Sequence, residues 1–194
     1  MSPMNPIRIA SRGLGLVEVM IGLTVLGVLL AVAVPSMLDL LERRRVVAVG
    51  LEVANVFNFA KSQANISGDR VTVHLEKDTG TPVSCVSVNL HNVSDFCKCY
   101  REPGSMCGRS TIQVLRWFQV QDSQGVSFAA SGRWAPDKDG QFTISRNYHA
   151  TDVSDVEVNV TGKRTGAKLK VEINAANRVR TCTPDGSING FPTC

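Results

Sequence analysis

Imidazole and large aromatic side chains are scarce in this chain: three His, two Trp and two Tyr in 194 residues. His74, His91 and His149 are scattered, with no H-E-x-x-H segment and no nucleophile-elbow pattern. The acids on strand-like segments, Glu76, Glu157 and Glu172, form no paired constellation of the kind that general acid–base work requires. These absences argue against catalysis, so a non-enzyme with no cofactor and no metal is expected. Internal repeats and low-complexity tracts are missing too. Cysteine is absent ahead of residue 85. Charge is nearly absent from Leu14 to Val34, where the one ionisable side chain is Glu18.

As a helix, the 21 residues from Leu14 to Val34 would span about 31 Å, enough to cross a bilayer. A carboxylate inside such a span is costly and is read as functional and partnered. Two processing routes are open. Cleavage after Gly13 retains the run and creates an α-amino group at Leu14, four residues before Glu18. That amine offers a positive charge to the carboxylate, in the same chain or in a neighbour one step away. Alternatively, Ala31-Val32-Ala33 is an A-x-A site for ordinary signal peptidase, Arg8 and Arg12 form its n-region, and the helix is discarded. An h-region is usually shorter and seldom holds a Glu, and the apolar pattern continues past Ala33. The retained helix is therefore the reading adopted. Without residues 1–13, 19 basic side chains face 17 acidic ones, a surplus of +2 that does not by itself argue for a polyanionic partner.

The length suits one domain plus a stem. Beyond Pro35, which should kink or locally melt a helix, Leu38, Leu41, Val46, Val49, Val53, Val56, Phe57, Ala60 and Ala64 recur at helical spacing. Glu42 with Arg43-Arg44-Arg45 reads as a solvated helical turn at the membrane interface; a lipid-headgroup contact or a stabilising ion pair is the sharper alternative. Gly68-Asp69 ends the helix, and Asn65 to Asp69 reads as loop. From Arg70 the period becomes two. Arg70–Glu76, Val83–Asn89, Thr111–Asp122, Val126–Ala130, Gln141–Ser145, Val156–Thr161, Lys168–Asn174 and Arg178–Thr183 are strand candidates separated by Gly, Asp and Asn. Without a second long helix, this is an α+β chain whose strands form an antiparallel sandwich or rolled sheet.

All six cysteines, Cys85, Cys97, Cys99, Cys107, Cys182 and Cys194, lie beyond the apolar run. An even set there suggests disulfides in an oxidising periplasm or extracellular space, with 15 pairings permitted. The simplest first bridge closes the loop from Cys182 to Cys194, worth about 3 kcal/mol, leaving Cys85, Cys97, Cys99 and Cys107 for two more. A zinc site at Cys97, Cys99 and Cys107 with nearby His91 is the rival, but C-x-C is tighter than the usual zinc spacing. Trp117 and Trp134 read as sheet-core or rim residues, and the sequons at Asn65, Asn92 and Asn159 as chance.

Gly13-Leu14-Gly15-Leu16-Val17-Glu18, the apolar run after it and Pro35 resemble the class III prepilin signature of type IV pilins and type II secretion pseudopilins. The resemblance implies a prepilin peptidase that cuts after Gly13 and methylates the amine of Leu14, and a role for Glu18 in subunit register. Leu14 stands where Phe is usual, and Gly15 where Thr or Ser is common. The implied division is a leader at 1–13, a helical stem at 14–66 with 14–34 in the membrane, and a disulfide-bearing β domain at 67–194. Phe59-Ala60-Lys61-Ser62-Gln63-Ala64 running into Val71-Thr72-Val73, Val126-Ser127-Phe128 with Gly132, and Asn177-Arg178-Val179-Arg180 are similar to the GspH/FimT branch. That branch implies a long N-terminal helix packed on a two-sheet β domain, and other pilin subunits as partners. It also implies a single pass through the inner membrane before assembly, with the β domain in the periplasm, and an extracellular pilus afterwards. The alternative is a minor pseudopilin of a type II secretion system.

Between Gly162 and Thr183, Lys163, Arg164, Lys168, Lys170, Arg178 and Arg180 face Glu172 alone. Strand residues two apart share a face, so Arg178 pairs with Arg180 and Lys168 with Lys170. Clustered charge of this kind binds phosphates without reading sequence. Some FimT-like proteins carry a Gly-Arg-x-Arg element that binds double-stranded DNA for natural transformation, and here Asn177 stands in the Gly position. The plainer reading is a basic edge that discourages strand pairing.

Overall fold

The computed structural model describes residues 15–76, 82–90, 97–102, 104–108, 112–134, 140–146, 150–151, 153–174 and 178–194. Its elements are one long helix, α1 (Leu16–Ser67), and nine strands: β1 (Val71–Leu75), β2 (Val83–Leu90), β3 (Val114–Gln121), β4 (Val126–Trp134), β5 (Gln141–Ile144), β6 (Ala150–Thr151), β7 (Val153–Gly162), β8 (Lys168–Ile173) and β9 (Val179–Cys182). The chain divides into two compact units, Met1–Leu38 and Asp39–Cys194.

In the first unit every residue from Gly15 to Leu38 is exposed, with side chains such as Leu16, Val17, Leu23, Val28 and Leu29 more than half accessible. This is the one helix among the described residues long and apolar enough to cross a membrane. It runs unbroken through Pro35.

In the second unit α1 becomes amphipathic. Val46, Gly50, Val53, Phe57, Ala60 and Ala64 recur at three- and four-residue spacing and are buried. They pack on two antiparallel sheets, one ordered β3-β2-β1-β5-β6 and the other β4-β7-β8-β9. Alternation supplies the inward faces: Val71, Val73 and Leu75 from β1, Phe142 and Ile144 from β5, Val156, Val158 and Val160 from β7, and Leu169, Val171 and Ile173 from β8. Phe57 meets Phe142 edge-on with ring centroids 5.9 Å apart. Gly50 lets the helix approach the second sheet, since a Cβ there would collide with Leu169. After β3 the chain turns through a short 3-10 segment, Asp122–Gln124, and left-handed Gly125 (φ 76°), then crosses from the first sheet to the second. The Phe128 amide donates to the Ser84 hydroxyl at 3.0 Å, linking the two sheets.

All eight expected strands are present, with β6 as a short addition. The helix extends through Ser67, so Asn65–Ser67 are helical and not loop. Buried Ala64 holds the last turn against the core, the Ser67 hydroxyl donates to Gln63 O at 2.8 Å, and Gly68 at φ 71° terminates it. The disulfides are Cys85–Cys99, Cys97–Cys107 and Cys182–Cys194.

Candidate functional site

Gly13 and Leu14 lie outside the described residues. Glu18 occupies the first turn of α1, where its amide donates to Gly15 O at 3.0 Å and its side chain is exposed. Pro35 is inside the same helix. Among the described residues the Glu18 side chain is exposed on the apolar stretch of α1 and has no ion pair.

Glu42 departs from the solvated turn expected of it. It is buried at 8% exposure and reaches the turn between β7 and β8. Its Oε1 accepts from the Arg164 amide (3.0 Å), the Thr165 amide (2.8 Å) and the Thr165 hydroxyl (2.9 Å). Burial alone would raise the carboxyl's pKa, but these Thr165 and Arg164 bonds, with the Arg164 charge, outweigh it and hold Glu42 below its ordinary value. Gly162 completes the cradle, because a Cβ there would strike the carboxylate and crowd the Thr165 hydroxyl. Arg164 in turn binds Asp39 at 2.8 Å. With Glu42 turned inward, Arg43 donates to Ser187 O and Arg45 to Gln124 O.

The six basic candidates do not form one surface. Lys163 pairs with Asp122 at 2.8 Å and Arg164 with Asp39. Lys170 sits between Glu172 (3.1 Å) and Glu157 (3.3 Å). Its bond to Glu172 outweighs the effect of burial and, with Glu157, raises its pKa. Arg178 and Arg180 are exposed, as is Lys168, and these three have no ion pair among the described residues. Arg180 lies opposite Glu172 in the β8–β9 register, so Lys168 is four residues away along β8, about 13 Å. These three cations therefore fall at two ends of β8, separated by the Lys170–Glu172 pair. Asn177 is outside the described residues.

The Cys182–Cys194 loop folds against this edge. The Thr183 hydroxyl donates to Lys168 O at 3.1 Å and the Lys168 amide to the Ser187 hydroxyl at 3.1 Å. Asp185 accepts from the Ser187 amide at 3.0 Å, and its hydrogen bonds to Ser187 hold its pKa below the ordinary value despite partial burial. Cys97, Cys99 and Cys107, the zinc alternative, are all disulfide-bonded, and His91 lies outside the described residues. The sulfurs near Glu76 and near Glu172 are likewise locked in bridges. His74 is buried and Trp117 half-exposed. His149 is outside the described residues.

No protein-family model matches this sequence, and no curated protein matches it either. Solved structures do. The type IV minor pilin FimU of Pseudomonas aeruginosa superposes with a TM-score of 0.50 at 14% identity, covering 72% of this chain and 89% of FimU. The minor pseudopilin EpsH from the type 2 secretion system of Vibrio cholerae gives 0.45 at 11% identity, covering 71% and 95%. The chain has a pilin-like α+β fold, a long helix packed on two antiparallel sheets.

Proposed function

We propose that this protein is a minor pilin of a type IV pilus system, retained in the inner membrane by its first helical unit and then drawn into a filament with other pilin subunits. The observation that carries this reading is the continuous exposure of apolar side chains from Leu16 to Leu38, interrupted by the single acid Glu18. An apolar surface of this extent requires lipid or neighbouring helices. Within either, an unpaired carboxylate is penalised, so Glu18 selects the packing step that brings it an amine. Cleavage after Gly13 by a prepilin peptidase, with methylation of Leu14, supplies that amine. The leader is then 1–13, the stem 14–66 and the periplasmic domain 67–194. Replacing Glu18 with Ala should abolish incorporation into pili while leaving the β domain folded; normal incorporation of that variant would refute the register role.

DNA capture is a second role, supported by the exposure of Arg178, Arg180 and Lys168, which have no ion pair among the described residues. The alternative system is type II secretion, where the same fold serves as a pseudopilin. Co-purification with pilus or with secretion components separates the two.

A further inference from the structure

A notch of about 280 Å³ lies between α1 and the Cys182–Cys194 loop, lined by Leu40, Arg43, Arg44, Val47, Ile188 and their neighbours. Its lining is largely apolar and includes the side chains of Arg43 and Arg44, which have no ion pair among the described residues. The acids around it are already engaged: Asp39 by Arg164, Glu42 by the β7–β8 turn, and Asp185 by Ser187 and Thr183. Arg43 spends one donor on Ser187 O, leaving the rest of its fork available. A largely apolar lining that includes two arginines without an ion pair among the described residues suits an amphiphile with an anionic head.

The sequence ties this notch to the end of the apolar run. Val19 to Leu38 is 20 residues without charge, which as a helix is about 30 Å, the thickness of a hydrocarbon core. Arg43 and Arg44 follow Leu38 by only five and six positions, so chain reach alone keeps them within about 20 Å of the end of that run.

We propose that this notch binds the phosphate of an anionic phospholipid, with Arg43 and Arg44 on the phosphate and Leu40, Val47 and Ile188 against the glycerol and upper acyl carbons. The lipid fastens the unassembled subunit at the membrane surface and is surrendered when the stem leaves the bilayer. This rests on the membrane-stem reading.

The test places the full-length chain in nanodiscs of equal parts phosphatidylglycerol and phosphatidylcholine, with native mass spectrometry of the lipids retained on release. Phosphatidylglycerol should predominate, and R43Q and R44Q should each cut its excess about fivefold with unchanged circular dichroism. Added inorganic phosphate should not displace it. Equal retention of both lipids, or an excess that survives the double variant, would overturn the proposal. An undiminished lipid preference together with lost pilus incorporation would assign the notch to a neighbouring subunit and overturn it as well. Failure to enter nanodiscs of phosphatidylcholine alone would instead strike at the stem reading.

Discussion

The Oε1 atom of Glu42 lies 2.8 Å from the Thr165 amide nitrogen, joining α1 to the β7–β8 turn across 123 residues of sequence. This contact sits at the fourth residue of the Asp39–Cys194 unit, and so secures the first docked turn of the helix. Charged groups buried this way contribute only while every partner remains in place.

Removing the acceptor should therefore cost stability. Glu42→Ala in the 39–194 unit leaves the Arg164 and Thr165 donors without their partner and should destabilise it by about 1–3 kcal/mol, read by thermal or urea unfolding. Because the folded pKa is depressed below the ordinary carboxyl value of 4.5, the charged-state contribution is fully present above that pH. It is lost as pH falls through the folded value. The gap between wild type and Glu42→Gln should accordingly narrow on acidification.

Gly162→Ala tests the same cradle from the opposite side. The added methyl meets the Glu42 carboxylate and the Thr165 hydroxyl, both held by hydrogen bonds. A loss of about 1–3 kcal/mol follows from overpacking at a site that cannot yield. In the Glu42→Ala background the same substitution should cost markedly less, and a double-mutant cycle measures the difference.

Opening the terminal loop by Cys182→Ser with Cys194→Ser should lower stability by about 3 kcal/mol. It should also loosen the segment that receives Arg43 at Ser187 O, visible as faster amide exchange from Thr183 to Asn189.

Where a strand buries one face, alternation made it legible, as in β8, where Leu169, Val171 and Ile173 are buried and Lys168 and Lys170 are not. The Cys182–Cys194 bridge was legible too, since the two residues enclose one short loop. Glu42 was not. Beside three arginines it resembles any hydrated helical charge, and its acceptors come from a turn more than a hundred residues away. The β4 crossover between sheets and the Cys85–Cys99 and Cys97–Cys107 pairing are equally non-local. The basic segment misled in the other direction: its surplus of cations counts only local sequence, while Asp39, Asp122 and Glu157 arrive from other elements to neutralise half of it.

That neutralisation separates the basic residues by effect. In gel shifts of the 39–194 unit with double-stranded DNA, Arg178→Gln with Arg180→Gln should abolish binding, and each lost phosphate contact should reduce the salt slope by about one. Lys163→Gln and Arg164→Gln, whose charges are already matched, should change affinity little. Equal losses from both pairs would remove the Arg178–Arg180 edge as the site.

The mature amino terminus of the native protein decides most directly whether the apolar helix is retained. Intact-mass and N-terminal peptide measurement of membrane-extracted or pilus-associated material should show a chain beginning at Leu14, with Glu18 and the whole apolar helix retained. A mature chain beginning at Val34 would contradict it, because the surface that demands lipid or neighbouring stems would then be gone.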